Sequence, residues 1–72
     1  MDPYEALAQA IVLQAVQDYR QALKVLGQHP GNKGAEAIKA DCEGFFRSSW
    51  FAVLSDVNPE YLIDQLNADA EG

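Results

Sequence analysis

One cysteine, Cys42, leaves this chain without an intrachain disulfide. One histidine, His29, is the only imidazole beside it, so a metal-stapled fold lacks its usual donor set. Cations are scarce as well: five Lys and Arg stand against eleven Asp and Glu, for a net charge of −6 and a pI near 4.3. Such a balance excludes a general basic surface for a nucleic-acid backbone. No apolar run approaches the roughly 18 residues that a membrane span requires. The opening MDPYEALAQA puts an acid where a secretory signal carries basic residues, so the expected location is the cytoplasm, in keeping with an unpaired thiol. Motif chemistry is missing too: there is no glycine-rich phosphate loop, no HExxH and no CxxC. The expectation is a protein that is not an enzyme and holds no cofactor and no metal.

What is present is helix chemistry in a short chain. Seventy-two residues form one domain, 1–72, whose core is small, because a chain of this length buries only about 60% of its unfolded surface. Without disulfide or metal, the remaining route to stability is self-association or docking onto a larger partner, and a homo-oligomer is expected. A hydrophobic fraction of 49% and a charged fraction of 22% place the chain among folded proteins rather than disordered ones.

The spacing of apolar residues predicts an all-α bundle of three main helices plus a short extra one. Asp2, Pro3 and Glu5 suit the cap, first and third positions of a helix over 3–26, with Gly27 as its stop. At 100° per residue, Leu7, Ile11, Val12, Ala15, Val16, Tyr19, Leu23 and Val25 occupy one half-circle, and Gln9, Gln17, Arg20 and Lys24 the other. Two residues depart from this pattern. Leu13 projects from the polar face, which makes it a candidate for self-association. Asp18 falls inside the apolar arc, and a carboxylate near a core needs a partner, for which Arg47 or a backbone amide is the natural choice. The stretch QHPGNKG reads as a turn in which Asn32 caps a second helix over 33–48. Its stripe of Ala35, Ile38, Cys42, Phe45 and Phe46 is narrow, and Cys42 there reads as a small buried hydrophobe. Ser48 and Ser49 cap a short helix over 49–55, and Asn58 followed by Pro59 opens a last one over 59–67, with Tyr61, Leu62, Ile63 and Leu66 on its apolar side.

The stretch FFRSSWFAVLSD concentrates aromatic residues around Arg47. Most of that area is needed to cover the wide apolar face of the first helix. Phe45 and Phe46 are adjacent, however, as are Trp50 and Phe51, and neighbours on a helix point about 100° apart. Both members of a pair cannot face one small core. The residues expected to meet a partner are therefore Phe46, Arg47, Trp50 and Phe51, a combination of aromatic and arginine surface typical of binding hot spots. The same chemistry can stack a base and hold a phosphate, which keeps open an alternative in which an oligomer sequesters a nucleotide through Arg47 and nearby lysines. The acidic stretch after residue 48 (Asp56, Glu60, Asp64, Asp69 and Glu71) has no cation to answer it and reads as a solvated face or a surface for a basic partner.

Through AIVLQAVQDYRQALK (Ala10 to Lys24) and FFRSSWFAVLSDVNPEYLI (Phe45 to Ile63), the chain resembles a group of small uncharacterised proteins encoded by phages and mobile elements of Gram-positive bacteria. It departs from them at Gly34 and Gly44, where good helix formers are expected. The group has no assigned catalytic residues. The resemblance implies an accessory factor that binds a host protein, including the inhibitors that counter host antiviral defence.

Overall fold

Capping residues and turn formers divide the chain into α1 (Pro3–Gln28), α2 (Lys33–Phe46), α3 (Ser49–Leu54) and α4 (Pro59–Glu71). The computed structural model describes residues 3–71, with side chains from Leu7 to Ala70. The fold is an all-α bundle of three long helices and one short helix, as expected, with no strand among the described residues. The predicted Asp2 and Glu5 cap, and Tyr4, lie outside the described residues and side chains.

α1 is a rod of 26 residues, about 39 Å at 1.5 Å per residue, and it sets the 40 Å long axis of the molecule. The expected stop at Gly27 is displaced: the helix runs through it to Gln28 and ends before Pro30, which cannot donate and disfavours helical geometry in the residue ahead of it. The left-handed turn residue is Gly31, at φ 91°. Asn32 caps α2 as predicted, its Oδ1 accepting from the Ala35 N–H at 2.9 Å. At the far end of α2, Ser48 has two roles. Its Oγ donates to the Phe45 carbonyl at 2.6 Å, and it accepts from the Phe51 N–H at 3.2 Å, which closes one helix and opens the next. Asn58 Oδ1 accepts from the N–H groups of Glu60 and Tyr61 at the start of α4.

α2 and α4 flank α1, and α3 closes the end. The core cluster is Tyr19, Cys42, Phe46, Phe51, Ile63 and Leu66, with Tyr19, Phe46 and Phe51 almost fully buried. α3 splits its apolar residues between core and solvent, and the expected apolar side of α4 needs a correction. α3 is only six residues long and can turn one side inward, so Phe51 is buried and Leu54 half-buried while Val53 is 83% exposed. On α4, Ile63 and Leu66 face the core and Tyr61 faces outward, because 61 lies about 160° round the helix from 63. α4 also extends past the expected end at residue 67, to Glu71.

Candidate interaction surface

A partly buried polar link, centred on the buried Tyr19, joins the three long helices. The Tyr19 hydroxyl (α1) donates to Glu43 Oε2 (α2) at 2.7 Å and accepts from Asn67 Nδ2 (α4) at 2.9 Å. Lys39 Nζ reaches the same Glu43 oxygen at 3.0 Å, and Asn67 Nδ2 also bonds the Ile63 carbonyl at 2.8 Å. Burial first, and the Glu43 carboxylate second, push the Tyr19 phenol up to about 12. Burial would push Glu43 up also, but the hydrogen bonds from Tyr19 and Lys39 outweigh it and the carboxyl titrates below the ordinary glutamate range. A phenol this reluctant to ionise serves as a clamp. Glu43 is not on the apolar stripe of α2 and Asn67 stands at the expected end of the last helix, so periodicity points to neither. The available signal was Tyr19 itself, since a buried tyrosine hydroxyl requires a partner.

Arg47, expected to pair with Asp18, pairs with Glu60 instead. Its Nε and Nη2 donate to the two Glu60 carboxylate oxygens at 2.7 and 3.2 Å, a two-pronged contact on the surface between the end of α2 and the first turn of α4. Each group's hydrogen bond to the other raises the guanidinium pKa and lowers the carboxyl pKa. Asp18 lies half-way along α1, exposed, and accepts only from Gln14 Nε2 at 2.9 Å. The misassignment comes from register: the end of α2 adjoins α4, while the middle of α2 adjoins Asp18.

The aromatic block forms a ladder of edge-to-face contacts. Tyr19 meets Phe46 at 5.7 Å between centroids, Phe46 meets Phe51 at 5.6 Å, Phe51 meets Phe45 at 5.6 Å, and Phe45 meets Trp50 at 5.9 Å. As the adjacency argument requires, one member of each pair is inside and one is further out. The expected contact residues Phe46 and Phe51 are the inner members, at 0% and 1% exposure, and neither can touch a partner. Trp50 is 57% exposed and is the outer rung. It stands at the mouth of an open apolar hollow of about 480 Å³, where Ile11, Ala15, Cys42 and Phe45 form the lining and Asp18 and Asp41 the charged rim. Cys42 is buried as expected, and burial followed by the nearby Asp18, Asp41 and Glu43 charges pushes its thiol up. His29 is in the exposed turn, away from this hollow. No group of three or more His, Cys, Asp or Glu among the described residues is arranged to hold a metal ion.

No family model, curated protein or solved structure matches the chain. None of the described helices is long and apolar enough to cross a membrane. Leu13, the predicted self-association residue, is 56% exposed and borders a separate hollow of about 250 Å³ with Val16 and Leu54.

Proposed function

We propose that the chain is a non-catalytic protein-binding module. In the phage and mobile-element setting that its resemblance implies, it engages and modulates a host protein, in the manner of a counter-defence inhibitor. The observation that supports this reading is the placement of Trp50: an exposed indole, braced edge-on by Phe45, at the mouth of an apolar hollow. A large ring that is solvent-facing yet held in place is the usual anchor of a hot spot. Self-association is assigned to the other flank, at Leu13, which leaves the Trp50 hollow free.

The nucleotide-sequestering alternative draws less support. It needs Arg47 and neighbouring lysines for phosphate, and Glu60 occupies Arg47 while Glu43 occupies Lys39. The test is a photo-crosslinking phenylalanine analogue at position 50 in bacterial cells, with position 65 on exposed α4 surface as the control. A protein captured from position 50 alone is then purified and its affinity measured against Trp50→Ala. The reading expects a loss of more than about tenfold with an unchanged helical spectrum. Equal binding by Trp50→Ala, or equal capture from both positions, overturns it.

A further inference from the structure

The hollow beside Trp50 is one half of a longer channel. A second hollow, of about 530 Å³, lies between the later turns of α1 and the start of α2, and the two share Asp18. Along α1 their linings include Ile11, Ala15, Asp18, Ala22 and Val25, which recur every three or four residues and so form one continuous row. On α2, Ala35, Ile38, Cys42 and Phe45 form the matching row. From Ile11 to Val25 the row runs about 21 Å at 1.5 Å per residue. Its floor is built of small residues, with Ala22 and Ala35 buried, and its walls of larger ones, with Ile38 at 47% and Trp50 at 57% exposure. α4 packs on the other side of α1, where Leu23 and Leu66 share a lining, and among the described residues only Trp50 of α3 reaches over this side of the helix pair, at one end.

Charge selects what can lie there. The charged side chains on both linings are Asp18 and Asp41, and neither has a cation within ion-pair distance, since the ion pairs of the described residues join Lys39 to Glu43 and Arg47 to Glu60. A second copy presenting the same face would set its own Asp18 and Asp41 against these two. We infer that the channel between α1 and α2 takes a basic amphipathic helix of a partner protein, about four turns long, whose apolar stripe lies on the small-residue floor and whose lysines or arginines meet Asp18 and Asp41. The matched helical rows favour a helix, which packs its ridges into such a groove. This inference rests on the protein-binding reading above and specifies the partner's chemistry.

Two synthetic peptides of about 18 residues test it. Both carry the same leucine stripe at helical spacing and no tryptophan, and their polar positions are all lysine in one and all glutamate in the other. Trp50, the only tryptophan, reports binding by its fluorescence. The expected result is saturable binding of the lysine peptide alone, weakening with salt. Asp18→Asn with Asp41→Asn reduces its affinity about fivefold and flattens the salt dependence, while Asp64→Asn with Asp69→Asn on α4 leaves both unchanged. Failure of the lysine peptide to bind, equal binding of both peptides, or equal sensitivity to the α4 pair overturns the inference. So does a dimer that Ile38→Asp dissociates, which would give the channel to a second copy. If position 50 still captures a partner whose affinity ignores Asp18 and Asp41, this inference fails and the binding reading stands.

Discussion

Removing one oxygen atom tests the polar clamp. In Tyr19→Phe the ring keeps its place against Phe46, but Glu43 retains only Lys39 and Asn67 retains only the Ile63 carbonyl. A hydrogen bond to a charged group is worth about 1.5–3 kcal/mol, so a loss of about 2 kcal/mol at neutral pH is expected. The pH dependence makes the test specific. The folded Tyr19 holds its proton up to about 12 against an ordinary value of 10.0, so its contribution is complete below pH 10 and is lost as pH rises through 12. Most of that rise comes from burial, which penalises the phenolate, so it governs what is lost at high pH and not the size of the mutational loss at neutral pH. On the acid side the sign reverses: the lowered Glu43 stabilises above its ordinary value of 4.5 and loses that contribution as pH falls below it. Urea unfolding followed by far-UV circular dichroism, for both proteins at several pH values, measures this. The gap should be widest between about pH 6 and 9, narrow toward pH 12 and also shrink in acid. A gap under about 0.5 kcal/mol at neutral pH, or one that stays constant to pH 12, would refute the argument that the hydroxyl joins the helices as a buried hydrogen-bonded group.

The glycines give opposite expectations. A methyl group at Gly44 meets nothing within 4 Å, so Gly44→Ala should stabilise by about 0.5–1 kcal/mol and raise the thermal midpoint by several degrees. Gly31→Ala forces a side chain into the left-handed region and should lower the midpoint; equal effects would exclude a backbone origin. Arg47→Ala should cause only a small drop in midpoint that disappears in molar salt, because its partner Glu60 is exposed; a large salt-independent loss would show a core role. Cys42 should react with iodoacetamide at pH 7.5 far more slowly than a free thiol and reach that rate only in denaturant; fast labelling of the native protein contradicts its burial. Leu13→Glu should shift a self-associated species to monomer in sedimentation, and an unchanged mass would remove Leu13 from that role.

Local rules reached the helices because their ends are written in single residues. Asn32, Ser48 and the Asn58-Pro59 pair each cap a helix at the predicted place. Local rules also required one of Phe45 and Phe46, and one of Trp50 and Phe51, to leave the core. Which member leaves is set by the rotation of each helix about its axis, and that follows from packing against helices distant in sequence. The same limit explains Arg47: finding Glu60 requires knowing that the end of α2 abuts the start of α4. Asn67 was obscured for a further reason. Its partner Tyr19 is 48 residues away, and no periodicity within α4 points to it. Of the predicted contact residues, Trp50 remains on the accessible surface, Arg47 is accessible but engaged, and Phe46 and Phe51 are the buried rings behind Phe45, which in turn supports Trp50.

That support has a thermodynamic consequence. α3 has six residues, far fewer than a helix needs to persist alone in water, so it forms only when Phe51 is seated in the core. The entropy lost in orienting the indole is therefore borne at folding, before any partner arrives, and encounter begins with an anchor already in place. By mass action, a partner that binds only this ordered surface holds the whole bundle together: at a hundredfold excess over its dissociation constant it would add about 2.7 kcal/mol to global stability. A bound partner would thus reveal itself as slower hydrogen exchange in helices it never touches.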